Sequence, residues 1–175
     1  VDLALTVKNC CEMLTPQATG QNTSLNICAA DSLPLALGEH DELYQVFQNL
    51  IVNAIKYGGA NKPVDISIAT KKEGPAGAGA GPWVCVSVSD HGEGIAHEHI
   101  PRLTERFYRV DAARSRELGG TGLGLAIVKH ITNRHRGHLV IDSIKGKGSV
   151  FTVYLPVPKD PNEGSMVRNS EATAA

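Results

Sequence analysis

The stretch Asp41 to Tyr57, DELYQVFQNLIVNAIKY, carries the strongest structural signal in the chain. At about 100° per residue its apolar side chains share one face of a helix; they are Leu43, Val46, Phe47, Leu50, Ile51 and Ala54. Asp41 stands where an N-cap is expected, with a side-chain oxygen able to accept an early backbone N–H. The pattern predicts an amphipathic helix that begins at Asp41.

The other flank of this helix carries a polar cluster of Asn49, Asn53 and Lys56, with Tyr57 at its border. Two carboxamides one turn apart offer neutral oxygen ligands for a hard cation, and a lysine supplies a point charge for phosphate. The competing interpretation is an ordinary solvated helix face. Taken alone, the cluster favours a solvated helix face. The motifs in the rest of the chain favour a binding site instead.

Composition bounds the class of protein. With 175 residues, 42% apolar and 20% charged, the chain predicts one soluble domain with a substantial core. A formal net charge of −1 indicates no nucleic-acid partner and no direct membrane contact. No apolar run approaches the roughly 18 residues of a membrane span, and the first residues do not resemble a signal peptide. Because the chain begins with Val, we expect a piece of a longer protein with any anchor or sensor upstream.

The four cysteines, Cys10, Cys11, Cys28 and Cys85, show no C-x-x-C spacing. We expect reduced thiols of a cytoplasmic domain and neither disulfides nor zinc.

Alternation and turn signals place the other elements. We expect helices at 1–19 and after Gly124, strands at 24–29, 64–71, 83–90, 138–144 and 149–155, an extended piece at 34–37, and a flexible glycine-rich hairpin loop at 73–82. Hairpins thus mix with crossovers. The fold class is α/β, a two-layer sandwich in which helices cover one face of a mixed β-sheet. The domain should span 1–159, and the aperiodic residues 160–175 should be disordered.

Two loops carry the candidate chemistry. Strand 83–90 runs directly into Asp90, Gly92 and Gly94, so a carboxylate at a strand end precedes two glycines. Glycines let a backbone approach a flat ligand, and a carboxylate can accept from an exocyclic amine, although a simple Asp-x-Gly turn fits equally well. Farther on, GGTGLGLAIVKHI opens onto a helix, and a glycine-rich loop at a helix N-terminus favours phosphate. Neither a P-loop nor a Rossmann fingerprint fits this loop.

Five motifs in order, NLIVNAIKY, DHGEGI, ERFYRV, GGTGLGLAIVKH and GKGSVF, resemble the N, G1, F, G2 and G3 boxes of sensor histidine kinases. That family shares its ATP-binding fold with gyrase, Hsp90 and MutL. The resemblance covers roughly residues 41–156, and its wording is most similar to sensors of the phosphate-regulon type. It implies the Bergerat ATP-binding fold, with ATP and Mg2+ as cofactors.

On the helix, the resemblance identifies Asn53 with the magnesium-binding Asn, and Asn49 would line the same site one turn earlier. Lys56 would approach the phosphates, and Tyr57 would flank the adenine. In the hydrolytic relatives a Glu activates water at the position of Asn49. An amide cannot act as a base, so transfer of the γ-phosphoryl group is favoured over hydrolysis.

In the loops, the resemblance assigns Asp90 to the adenine amino group, and Gly92 and Gly94 would make room for the ring. Ile95 would be a further nucleotide-binding residue. A lid that is mobile without nucleotide, within residues 114–125, would wrap the triphosphate through Gly120, Thr121, Gly122, Leu123 and Gly124. Arg106 or Arg109 would place a guanidinium near the γ-phosphate, and both remain candidates.

The stretch His97-Glu98-His99-Ile100-Pro101 superficially resembles the phosphoacceptor box of the family. Its proline falls one residue early and it follows the G1-like box, so we expect no phosphoacceptor there. The function implied is donation of the γ-phosphoryl group of Mg-ATP to a histidine on a separate dimerisation domain, with a response regulator as the partner of the full kinase. The fragment should be monomeric and form the cytoplasmic part of a membrane-anchored bacterial kinase. The alternatives are a nucleotide-binding pseudokinase and, less favoured, a stand-alone ATPase.

Overall fold

A computed structural model describes residues 1–111 and 119–158 of the chain. Its elements in order are α1 (Leu3–Thr19), β1 (Leu25–Ala29), α2 (His40–Tyr57), β2 (Val64–Glu73), β3 (Ala80–Asp90), a 3-10 helix (His97–Arg102), α3 (Gly124–Arg134), β4 (His138–Ile144) and β5 (Gly148–Pro156). The tail predicted to be disordered at 160–175, and part of the predicted lid, lie outside the described residues.

The five strands form one sheet in the order β1-β2-β3-β5-β4. β1 pairs with β2 in parallel, and the other three pairs are antiparallel. The helices pack on one side of this sheet. The predicted two-layer α/β architecture with a mixed sheet is therefore confirmed.

The core lies between α1, α2, α3 and the inner face of the sheet. The alternating residues Val64, Ile66 and Ile68 of β2 point into it, as do Val84, Val86 and Val88 of β3 and Phe151, Val153 and Leu155 of β5. The outer face carries a small cluster of Trp83, Cys85 and Tyr154. Side chains on alternate faces follow from the two-residue period of a strand, which is what the sequence pattern predicted.

Helix α2 is the centre of this core. All six of its predicted apolar residues, together with Ile55, are buried. Burying a side chain of this size stabilises the fold by about 1.5–3 kcal/mol. The apolar face thereby fixes the rotation of the helix, and the same rotation aims its asparagine flank away from the core.

Two local predictions on α2 and the hairpin were wrong. The N-cap of α2 is Glu39 in extended conformation, and its carbonyl accepts the first helical bond from Leu43 N at 3.0 Å. Asp41 lies inside the first turn, where its charge still suits the helix dipole. The glycine-rich hairpin loop is shorter than expected, because Glu73 pairs with Ala80 across a bulge.

The segment predicted to be extended at 34–37 forms no sheet strand, but it links Val1 to the last residue of β5. Ala36 N donates to Val1 O, and Leu37 N donates to Pro156 O. Helix α1 continues through Pro16 to Thr19. The four cysteines are unpaired, and burial raises the pKa of Cys10 to about 12 and that of Cys85 to about 11.

Candidate functional site

One cavity of about 560 Å³ opens where α2, the end of β3 and the glycine-rich loop meet. Most of the predicted site residues line it: Asn49, Asn53, Lys56, Tyr57, Asp90, Gly94, Ile95, Arg109, Gly120, Thr121, Gly122 and Gly124. Gly92, Leu123 and Arg106 do not line it. Residues from four separate motifs thus converge on one space, although 75 positions of sequence separate Asn49 from Gly124.

Asp90 is the buried carboxylate of the cavity, with 6% of its surface exposed. Its Oδ1 accepts a hydrogen bond from Gly92 N at 2.9 Å, and the Ser149 backbone also bonds the carboxylate. Burial raises the pKa of Asp90, and these two backbone bonds partly oppose the rise. A desolvated acceptor with a fixed orientation is suited to selecting one donor of a ligand.

The glycines beside Asp90 are required by the protein's own backbone. A Cβ on Gly92 would lie 2.1 Å from Tyr57 O, so this residue lets the loop pack against the end of α2. Gly94 adopts φ +65°, and a Cβ there would lie 2.1 Å from Ile144 O at the end of β4. The sequence assigned both glycines to the space needed by a ring, which stays a prediction, and the structure adds a packing reason for each.

The two asparagines of α2 face the first residue of α3. A Cβ on Gly124 would lie 3.2 Å from Asn49 Oδ1 and 3.9 Å from Asn53 Nδ2, so the glycine permits a close approach of the two helices. Asn49 Nδ2 donates to Gln45 O at 3.0 Å, which leaves Oδ1 directed toward α3. Amide oxygens are ligands that a hard cation accepts, so this pair fits Mg2+.

The N-terminus of α3 supplies backbone donors to the same region. Its N-cap, Leu123, makes no side-chain capping bond to the helix. The first-turn N–H groups of a helix have no partners inside it, and they carry the positive end of its dipole. Together with Lys56 and Arg109, which also line the cavity, they form a positive surface suited to phosphate.

The structure separates the two arginine candidates. Arg109 is half-buried, lines the cavity and donates from its guanidinium to Gly120 O, whereas Arg106 is exposed outside it. Phe107 lies between them and adopts φ +65°, and its N–H donates to Gly122 O at 2.9 Å. This bond attaches residues 106–109, the arginine segment, to residues 119–124, the glycine loop. A Cβ on Gly122 would lie 2.9 Å from Phe107 Cα, so the loop requires glycine there.

Sequence reasoning missed several residues of the cavity. They are Val52, Glu93, Ala96, His99, Leu103, Tyr108, Val110, Asp111, Gly119, Leu125, Lys145, Ser149 and Phe151. Val52 lies beside Asn53 on α2, so helical position could have found it. His99 lies in the stretch that superficially resembles a phosphoacceptor box, and no local signal links it to the cavity.

Within the described ranges, no cluster of three or more His, Cys, Asp or Glu side chains could hold a metal ion. In the same part of the chain, no helix combines the length and the apolar character needed to cross a bilayer.

Fold and site together define a two-layer α/β domain with a polar, phosphate-suited cavity beside its sheet. Residues 38–159, more than half of the chain, match the family described as Histidine kinase-, DNA gyrase B-, and HSP90-like ATPase. The chain belongs to that family.

Its relatives include named sensor kinases. The phosphate regulon sensor protein PhoR of Pseudomonas aeruginosa is 43% identical over 138 residues, covering 79% of this chain and 29% of that protein. Sensor histidine kinase RppB of Synechocystis is 44% identical over 122 residues, covering 70% of this chain and 25% of that protein. The chain thus spans less than a third of the length of these relatives.

Solved structures agree on the fold. Full-length ShkA in complex with AMPPNP superposes with a TM-score of 0.74 at 26% identity, covering 91% of this chain and 31% of that chain. The mycobacterial sensor histidine kinase MprB gives the same TM-score at 21% identity, covering 91% of this chain and 97% of that chain.

Proposed function

We propose that this domain binds Mg-ATP and donates its γ-phosphoryl group to a histidine on a separate domain of the same kinase. The observation that carries the proposal is the single cavity that unites a buried carboxylate, two helix amides, a lysine, an arginine and the N-terminus of α3. Together these groups match the base, the phosphates and the metal ion of Mg-ATP. Family membership and the named sensor-kinase relatives support the same function.

The chain's own residues would divide the work of binding. Asp90 would accept a hydrogen bond from the adenine amino group, with Tyr57 beside the base. Lys56, Arg109 and the N–H groups at the start of α3 would hold the phosphates by charge and hydrogen bonding. Asn53 and Asn49 would hold Mg2+, which when bound neutralises charge on the terminal phosphates.

Asn49 favours phosphoryl transfer to a histidine over hydrolysis. Among the described residues lining the cavity, the carboxylates are Asp90, Glu93 and Asp111, and none of them lies on α2. The α2 position next to Gly124 carries an amide whose nitrogen is already bonded to Gln45 O. An amide does not accept a proton from water, so a water molecule there would not be activated.

The wider setting follows from the same proposal. The acceptor histidine would lie on a dimerisation domain of the same kinase, and a response regulator would receive the phosphoryl group from it. The domain would be monomeric by itself and would work on the cytoplasmic side of a membrane-anchored bacterial kinase.

One experiment separates the kinase from its alternatives. The chain is incubated with Mg2+ and ATP labelled in the γ-phosphate, with and without an added domain that carries the acceptor histidine. A kinase transfers label to the added domain, an ATPase releases labelled phosphate in both reactions, and a pseudokinase binds ATP without either product. Label that stays on ATP despite saturation binding would refute the proposed transfer.

A further inference from the structure

Tyr108, which lies next to Arg109, is held by two side chains of the preceding 3-10 helix. Its hydroxyl lies 2.5 Å from His99 Nδ1, and the Arg102 guanidinium lies 4.3 Å from the centroid of its ring. Arg102 is itself paired with Glu105 at 3.3 Å. The ring is therefore fixed on one face and at its tip.

The surroundings of His99 indicate the direction of the Tyr108 hydrogen bond. His99 Nε2 lies 3.5 Å from Glu98 Oε1, a carboxylate oxygen that can only accept when ionised. A proton on Nε2 satisfies this contact and leaves Nδ1 as an acceptor. The Tyr108 hydroxyl then donates to Nδ1, and the chain of contacts runs from Glu98 through His99 to Tyr108.

The backbone beside Tyr108 needs such support. Phe107 is 71% exposed and adopts φ +65°, a conformation that costs about 1–2 kcal/mol for a residue with a Cβ. Strained residues persist where the surrounding contacts over-determine them. On one side Phe107 N donates to Gly122 O, and on the other side the Tyr108 side chain is anchored to His99.

We infer that His99 and Tyr108 are positioning residues that hold Arg109 in the cavity for the terminal phosphate of the nucleotide. The inference rests on the proposed function, and it assigns to the 3-10 helix the task of fixing the arginine segment. Without the His99–Tyr108 bond, the tip of the Tyr108 side chain would lose its anchor, and the contact with Arg102 alone would hold the ring beside Phe107. Arg109 would then sample orientations away from the phosphate.

The test uses the whole 175-residue chain with Mg2+ and measures dissociation constants for ATP and ADP by calorimetry. Arg109→Ala gives the effect of losing the arginine completely. It should raise the ratio of the dissociation constant for ATP to that for ADP, because it removes a contact made only to the third phosphate. Tyr108→Phe keeps the ring over Arg102 and removes only the hydroxyl. We expect it to raise the same ratio by about fivefold, as for one lost hydrogen bond.

Four further variants separate positioning from general stability. In Tyr108→Phe combined with Arg109→Ala, the ratio should equal that of Arg109→Ala alone, because the tyrosine acts through the arginine. His99→Asn retains an acceptor near the place of Nδ1 and should keep more of the ATP preference than His99→Leu. Tyr154→Phe is the matched control, since its hydroxyl bonds Lys71 Nζ at 3.1 Å on the outer face of the sheet.

The outcomes distinguish a failure of the inference from a failure of the proposed function. Additive effects in the double variant, or an unchanged ratio in Tyr108→Phe while Arg109→Ala raises it, would overturn the inference and leave the proposed function intact. An unchanged ratio in Arg109→Ala would also overturn the inference, since no arginine contact would remain to be positioned. A wild-type chain that binds neither nucleotide would instead refute the proposed function.

Discussion

Replacing Asp90 by Asn tests whether this carboxylate selects adenine. The side chain is 6% exposed and is oriented by the backbone N–H of Gly92 at 2.9 Å, so its environment is desolvated and fixed. Asn can still accept from one backbone N–H, but it presents an NH2 group in place of the other oxygen. The substitution is therefore nearly isosteric and changes mainly charge and hydrogen-bonding polarity.

The magnitude follows from the chemistry of that acceptor. A hydrogen bond from the adenine 6-amino group to an ionised carboxylate contributes about 1.5–3 kcal/mol. Losing it should weaken ATP binding about 10- to 150-fold. In the wild-type chain, the 6-oxo group of guanine would face this carboxylate, and two opposed acceptors should weaken GTP by at least about tenfold. In Asp90→Asn an amide donor can meet that oxo group, so the preference for ATP should relax.

Competition binding of ATP and GTP at pH 8 to wild type and variant measures both effects. The alkaline pH is chosen because burial raises the pKa of Asp90. Asp65→Asn is the matched control: this carboxylate lies on the adjacent strand β2, is half-exposed, and bonds His91 Nε2 at 2.7 Å outside the cavity. Equal affinity of the wild-type chain for ATP and GTP would remove Asp90 from adenine recognition, as would unaltered binding in Asp90→Asn.

Three further predictions concern metal, loop and pH. Asn53→Ala should abolish magnesium-dependent ATP binding, whereas Asn49→Ala should weaken it less. Calorimetry with and without Mg2+ measures this, and an unchanged magnesium-dependent affinity for ATP in Asn53→Ala would contradict the assignment. Hydrogen exchange across residues 119–125 should slow when ATP binds, because the triphosphate orders the glycine loop, and exchange unaffected by ATP would count against a lid. For pH, burial raises the pKa of Asp90 in the folded state. The protonated side chain therefore contributes fully to folding stability below the ordinary carboxyl pKa near 4, and this contribution is lost as the pH rises through the pKa of the folded state. Asp90→Asn should therefore gain stability over wild type at pH 7 and lose that gain in acid. The hydrogen bond from His91 lowers the pKa of Asp65, so Asp65→Asn should lose stability relative to wild type. The loss should be below about 1 kcal/mol at neutral pH and should vanish in acid. Thermal melts in which the two variants change stability in the same direction would refute this assignment.

The sequence by itself determined the sheet, the central helix and most of the cavity. The period of 3.6 residues in 41–57 depends only on neighbours along one helix, so it correctly placed Phe47 inside and Asn53 on the opposite flank. The alternation of apolar and polar residues in β3 and β5 identified the buried faces of these strands for the same reason. The motifs then named residues that the fold brings together, because each motif lies at the end of an element whose position the core fixes.

Tertiary structure alone decided which groups contact one another across the elements. Arg106 and Arg109 are equivalent candidates in sequence, but the reversal at Phe107 turns only Arg109 into the cavity. Gly92 and Gly94 are glycines because neighbouring backbones from the ends of α2 and β4 approach them, a packing constraint that no local pattern encodes. The contact of His99 with Tyr108 joins residues nine positions apart, and it depends on the path of the chain after the 3-10 helix. Periodicity reports which face of an element is buried, whereas the distance between two polar groups is set by how whole elements pack.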